Sequence, residues 1–162
     1  MPFLVRWPAA IKAGTKIEAI ALNIDFAPTF LEAAGLPVPR DMQGRSLTTL
    51  FGGRAPPDWR TSMYYRYYHD PGDHNTRAHY GVRTRTHKLI YFWKKDQWEL
   101  FDLVDDPYEL HNLYGEPGQD ALTARLKTEL ARLKREVRDD DQLANEQLPN
   151  GVDGPVAKLR GR

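Results

Sequence analysis

Between Met63 and Thr84 the chain concentrates five of its eight tyrosines, three of its five histidines and three arginines (Arg66, Arg77 and Arg83). Aromatic faces beside cationic and hydrogen-bonding groups suit a polar, anionic, ring-shaped ligand. A guanidinium meets an anion through parallel N–H bonds, an imidazole donates or accepts, and a ring offers flat apolar area. Bond breaking needs more than this: a side-chain nucleophile requires an activating partner beside it. The stretch contains no such pair, so it reads as the recognition part of a site whose chemistry lies elsewhere.

Each of these residues also has an ordinary reading. His69, His74 and His79 stand five apart. Zinc needs ligands converging tetrahedrally, which that spacing on a strand, a loop and a strand disfavours, so polar loop residues are the simpler reading. Arg83 is either a solvated strand arginine or a bidentate anion contact, and both readings stay open. Tyr64, Tyr65, Tyr67 and Tyr68 alternate across a strand, which commits at least one of its faces to core packing. Lys88 and Arg85 read as surface charges, and Trp59, Trp93 and Trp98 as sheet packing. Asp25, placed before Pro28, reads as a helix cap rather than a base or metal ligand. Asp139-Asp140-Asp141 lacks the glycine and distal glutamate of an EF-hand loop and reads as a solvated run at a helix end.

Composition narrows the classes. At 162 residues the chain suits one domain, or one domain and part of another. Folding at this size buries roughly 68–70% of the unfolded chain's surface, so neither disulfide nor structural metal is required. Apolar residues at 41% and charged residues at 28% describe a globular chain rather than a disordered one. A net charge of +1 supplies no field for nucleic acid or an anionic membrane. No run of about 18 apolar residues would cross a bilayer. The first eight residues lack the charged start and long apolar core of a signal peptide. Cysteine is absent, which removes disulfides, thiolate metal sites and cysteine nucleophiles. Compartment stays open, because a cysteine-free chain folds equally well in either redox environment.

Periodicity predicts the elements that hold these residues. Phe3 to Trp7, ended by Pro8, reads as a buried strand of a truncated sheet. Asp25, Pro28 and Gly35 frame a short helix with Phe26, Phe30 and Ala33 on one face. A second short helix starts at Ser46 and ends at Gly52-Gly53. Ala55-Pro56-Pro57-Asp58 is a boundary. Beyond it come four strands, Ser62–Tyr68, His79–Thr84, His87–Lys94 and Trp98–Leu103. They are rich in aromatic and β-branched residues, and short links between them favour an antiparallel meander. Alternation fails in Lys88-Leu89-Ile90-Tyr91-Phe92-Trp93, which reads as a central strand covered on both faces. Asp105 to Leu110 reads as a helical turn capping the sheet. From Ala121 to Arg138, Leu122, Leu126, Leu130, Leu133 and Val137 form a helical stripe that must dock, most simply on the sheet.

Six landmarks in order resemble the sulfatase family of the alkaline-phosphatase-like superfamily. Pro2-Phe3-Leu4-Val5-Arg6-Trp7-Pro8, the segment from Asn23 to Gly35, and Gln43-Gly44-Arg45-Ser46-Leu47 are similar to late catalytic-domain segments. Tyr80-Gly81-Val82-Arg83-Thr84 with Lys88-Leu89-Ile90-Tyr91, Glu99-Leu100-Phe101-Asp102-Leu103, and Asp106-Pro107-Tyr108-Glu109-Leu110-His111-Asn112-Leu113 are similar to the C-terminal subdomain. That subdomain is found in heparan N-sulfatase-like and bacterial glycan sulfatases. The resemblance covers roughly residues 2–137. It implies that His74 and His79 lie near an active-site mouth, where they donate to sugar hydroxyls or sulfate. It also implies a formylglycine made from a Cys-x-Pro-x-Arg cysteine and a calcium ion held by Asp/Asn ligands. These belong to segments that precede this stretch in the parent, so the chain itself carries no cofactor.

The reading is an α+β chain. Residues 1–53 form the tail of an α/β sulfatase domain, truncated. Residues 58–138 form a four-stranded antiparallel sheet with a packed C-terminal helix, and 139–162 a loose tail. The function expected is pocket shaping by His74, His79 and Arg83, without turnover by the chain alone. Its partners would be the missing N-terminal catalytic segment and a sulfated glycan or other sulfate ester, with no nucleic acid and no membrane. The competing reading is a stand-alone glycan-binding or partner-docking module.

Overall fold

The computed structural model describes residues 3–70, 72, 75–141 and 144. Internal contacts divide the chain into two compact units, Met1–Thr61 and Ser62–Arg162.

The first unit is built from loops around one helix. A 3-10 turn at Asn23–Asp25 runs into α1, Phe26–Ala33, and a second 3-10 turn spans Leu47–Leu50. Pro28 lies in the first turn of α1, where a missing N–H leaves no intrahelical bond unmade. Gly35, at φ 69°, ends the helix. Its N–H donates to the Glu32 carbonyl and that of Leu36 to Leu31, the paired bonds of a Schellman stop. Ser46 caps the second turn by accepting from the Thr48 N–H. Leu47, Leu50 and Trp59 form a small core with Phe26, Phe51, Ala19 and Ala55 against it.

Three local expectations change here. Phe3–Trp7 is not a buried strand: it is irregular, with Phe3, Leu4 and Val5 exposed, and no described segment pairs with it. An apolar run becomes a strand only when a neighbour takes its N–H and C=O groups. The predicted apolar face of α1 is also not the buried one. Phe30 is 71% exposed, and the helix instead buries Pro28 and Thr29. Thr29 fixes that choice, because its hydroxyl donates to the Asp25 carbonyl at 2.6 Å and accepts from the Leu47 N–H at 2.8 Å. Finally, Asp25 makes no side-chain cap bond to α1. Its buried carboxylate accepts instead from the Leu22 and Arg45 N–H groups, each at 2.8 Å, and from the Arg60 guanidinium.

The second unit is an antiparallel meander of four strands in sequence order: β1 Ser62–Tyr67, β2 His79–Thr84, β3 His87–Phe92 and β4 Gln97–Asp102. The register aligns Val82 with Leu89 and Leu89 with Leu100, so three fully buried side chains form one row across β2, β3 and β4. Helix α2, Asp120–Glu136, lays Leu126, Leu130 and Leu133 on that row, with Leu122 beside it. The spacing of four and three keeps these leucines on one helical stripe. Full burial of each such side chain contributes roughly 1.5–3 kcal/mol before chain entropy opposes it.

The outer flank of β4 has a substitute neighbour. The Asn112 side-chain oxygen accepts from the Leu100 N–H at 2.9 Å, its amide donates to the Trp98 carbonyl at 3.3 Å, and the Leu113 N–H donates to the Leu100 carbonyl at 2.8 Å. The segment from Asp105 to Leu110 is an irregular turn rather than a helical one. Asp102 accepts from the Val104 and Asp105 N–H groups, and Asp106 accepts from those of Leu110 and His111. Local carboxylates thus outcompete the i→i−4 pattern for these donors. Asp139 and Asp141 likewise depart from the solvated run expected of them, since both are ion-paired to Arg66 of β1. Most of the expected loose tail, residues 145–162, lies outside the described residues.

Candidate functional site

The candidate site is the sheet face turned away from α2. Directly opposed residues of antiparallel strands share a face. Tyr67 opposes His79, Tyr65 opposes Gly81, Met63 opposes Arg83, and on the other side of β2 Arg83 opposes Lys88 and Gly81 opposes Ile90. His79 and Arg83 therefore lie on one face, on the side opposite Val82. Four residues of strand separate them by about 13 Å, so they bracket the face rather than converge on one atom.

His79 is held by an aromatic nest. Its ring lies 5.8 Å from those of Tyr65 and Tyr67 and 5.4 Å from that of Phe92. Nδ1 is 2.7 Å from the Arg77 carbonyl. A carbonyl only accepts, so Nδ1 carries the proton and Nε2 of the neutral ring is the acceptor. The Arg83 side chain is exposed and forms no hydrogen bond or ion pair with another described residue. His74 lies outside the described residues, so the structure places two of the three candidates. Among the described residues no group of three or more His, Cys, Asp or Glu is arranged to hold a metal ion.

Residues that pattern reading passed over define the rest of this face. Lys88 is no free surface charge: it is half-buried and donates to Glu109 at 2.6 Å. The Tyr65 hydroxyl is buried without a hydrogen-bond partner. Burial pushes its pKa up, Glu109 and Glu99 add to that, and Arg83 opposes it. Its place depends on Gly81, where an added Cβ would stand 2.4 Å from the Leu89 carbonyl oxygen and 2.6 Å from the Tyr65 hydroxyl. The Tyr-Gly pairing on opposed strands is the one signal that could have exposed this. Gly81→Ala should therefore destabilise the chain by about 1–3 kcal/mol through overpacking against backbone, read by urea unfolding. A loss near zero would mean that Tyr65 does not rest on Gly81.

The turn between β1 and β2 is tied at its neck. Asp70 accepts from Arg77 at 3.2 Å, with the Lys94 ammonium 4.0 Å away. The Gly72 N–H donates to the Thr76 carbonyl at 2.7 Å. On the α2 side of β1, the Tyr64 hydroxyl donates to Asp139, and Arg66 donates to both Asp139 oxygens and to Asp141, each at 2.7 Å. Burial pushes the Asp139 carboxyl up, but the bonds from Arg66 and Tyr64 outweigh it and hold it below the usual carboxylate range. Asp141 behaves alike, with Lys134 and Arg66 outweighing burial.

The comparisons with known proteins agree in direction. The sequence model of the family described as N-sulphoglucosamine sulphohydrolase, C-terminal, matches residues 1–136. An N-acetylglucosamine-6-O-sulfatase of Bacteroides thetaiotaomicron is 42% identical over 144 residues, covering 87% of this chain and 26% of that protein. The multifunctional alkaline phosphatase superfamily protein PehA of Trinickia caryophylli is 31% identical over 121 residues, covering 68% of this chain and 23% of that protein. Among solved structures, BT4656 in complex with its substrate D-glucosamine-2-N,6-O-disulfate superposes with a TM-score of 0.80 at 42% identity, over 84% of this chain and 28% of that one. The chain thus spans about a quarter of the length of these relatives.

Proposed function

Since the chain belongs to the N-sulphoglucosamine sulphohydrolase C-terminal family and is a sulfatase C-terminal domain, we propose that it forms one wall of the substrate pocket of a longer glycan sulfatase. The observation that carries this reading is the placement of His79 and Arg83 on the face turned away from α2, with the Arg83 side chain exposed and unpaired among the described residues. Arg83 is the anion contact, offering parallel N–H donors to a sulfate. His79, its ring fixed by the nest and its Nδ1 by Arg77, offers Nε2 to a sugar hydroxyl. His74 joins them on the resemblance alone. The substrate class is a sulfated glycan, and the relatives' names point to glucosamine sulfates within it.

Sulfatases of this family imply a formylglycine and a calcium ion. The residues of this chain fit neither, because it has no cysteine and its described residues form no cation cluster. Hydrolysis of the sulfuric ester is therefore assigned to the remainder of the parent. The exposed apolar side chains of the first unit, among them Leu4 at 93%, Phe30 at 71% and Leu36 at 55%, favour a surface that more polypeptide covers over a free-standing module.

The purified chain is expected to leave an aryl sulfate unhydrolysed. In a titration with glucosamine 6-sulfate followed by NMR, the His79 and Arg83 side-chain signals should shift, and Arg83→Ala should weaken the response at least tenfold. Hydrolysis that survives His79→Ala and Arg83→Ala, or a response confined to residues of α2, would overturn the reading.

A further inference from the structure

We propose that the acidic segment leaving α2, Asp139 to Asp141, is a strap, and that Arg66 is the positioning residue through which it holds the base of the histidine-bearing turn. Its functional sense rests on reading that turn as part of a pocket wall; its mechanics do not.

Arg66 sits on β1, two residues before Tyr68, with its side chain 4% exposed. The guanidinium centre lies 4.8 Å from the Tyr68 ring, 5.2 Å from Tyr80 and 4.6 Å from Trp93. These rings come from the first residue of the turn, from β2 and from the connection between β3 and β4, so one cation fills a box made by three parts of the chain. Its Nε and Nη2 are buried without conventional partners, which leaves the ring faces as their surroundings. Among the described residues, its counter-charges come from the far end of the unit. Asp139 and Asp141 meet Nη1, Asp139 also takes the Tyr64 proton donor, and Asp141 also takes Lys134 at 2.5 Å. Lys134 in turn lies 4.6 Å over the Tyr80 ring.

The backbone is bent to make this possible. Arg138 at φ 57° and Asp141 at φ 66° both occupy the left-handed region that non-glycine residues rarely adopt. At Arg138 this is the ordinary Schellman stop of α2, with its N–H on the Arg135 carbonyl and that of Asp139 on the Lys134 carbonyl, so only the bend at Asp141 goes beyond what ending the helix requires. The bends return two carboxylates to a strand more than seventy residues earlier. Without them, Arg66 would be a buried cation without a counter-charge, and its cheapest escape is to leave the box for water, which removes the packing of Tyr68 and Trp93. Of the three box rings only Tyr80 packs against the Val82–Leu89–Leu100 row under α2, and its backbone is fixed between β1 and β3, so the loosening should stay local.

Amide hydrogen exchange on the full chain tests this. In Asp139→Asn/Asp141→Asn, amides of Tyr67 to Asp70 and Trp93 to Asp96 should exchange at least tenfold faster, with Leu89, Leu100 and Leu126 to Leu130 unchanged. Arg66→Lys keeps the charge but not the planar plate, so it should loosen the same amides; a simple ion pair would be rescued by lysine. Unchanged exchange at the turn base, an equal rise across the whole sheet, or full rescue by lysine would each overturn the strap. Glucosamine 6-sulfate titration of the same variants separates the two ideas. A loosened turn with unaltered sugar response removes the turn from the pocket wall and keeps the strap, whereas an unloosened turn sinks the strap whatever the sugar does.

Discussion

Arg60→Ala should lower stability by about 3–5 kcal/mol, the loss expected when one partner of a buried ion pair is removed and the other keeps its charge. Asp25 is fully buried and Arg60 only 13% exposed. The Asp25 carboxylate has no water to fall back on, and its remaining donors, the Leu22 and Arg45 N–H groups, come from backbone fixed by the surrounding turns. Arg60 also lies 4.9 Å over the Trp59 ring, so its removal uncovers part of the small core of the first unit. Arg45→Ala is the matched contrast. Arg45 likewise faces Trp59, at 4.7 Å, but its partner Asp58 is 76% exposed, and such pairs are worth about 0–1 kcal/mol. Urea unfolding of both variants decides the matter. A loss of 1 kcal/mol or less for Arg60→Ala would show that Asp25 finds other compensation.

Leu100→Ala carries the second large effect, about 2–5 kcal/mol, with no change in the slope of the unfolding curve against denaturant. The side chain is fully buried at the end of the Val82–Leu89–Leu100 row, and Leu126, Leu130 and Leu133 cover that row from α2. Its backbone is bonded on the outer flank to Asn112 and Leu113, so the strand cannot easily shift inward to fill the space. Leu110, 73% exposed, gives the reference: Leu110→Ala should stay within about 0.5 kcal/mol. Equal losses at both positions would contradict the placement of the core.

What could be read from sequence was what repeats over short distances. The aromatic and β-branched runs joined by short links placed all four strands to within about two residues of their observed ends, and the leucine spacing of α2 identified the stripe that docks. Failures came where a side chain's partner is remote. Asp25 looks like a cap because the helix is adjacent, yet its decisive partner, Arg60, is 35 residues away. Asp139 looks solvated because its neighbours are charged, yet Arg66 lies 73 residues back. Phe3–Trp7 is apolar enough for a strand, but hydrophobicity alone does not supply a hydrogen-bonding neighbour. For the site, the sequence placed His79 and Arg83 on one strand, His79–Thr84, without settling which face they take. It could not reveal the nest around His79 or the burial of Tyr65 over Gly81, because both depend on the register between strands.

The Asn112 amide bears on the solution behaviour of any preparation of this chain. A second molecule seeking to extend the sheet past β4 meets a flank whose central residue has already given both its donor and its acceptor. Extension of the sheet past β4 is blocked at the strand's centre by the Asn112 side chain and the Leu113 N–H together, beside the charged Glu99. Whatever fibril-forming tendency the meander retains must therefore begin elsewhere on the molecule.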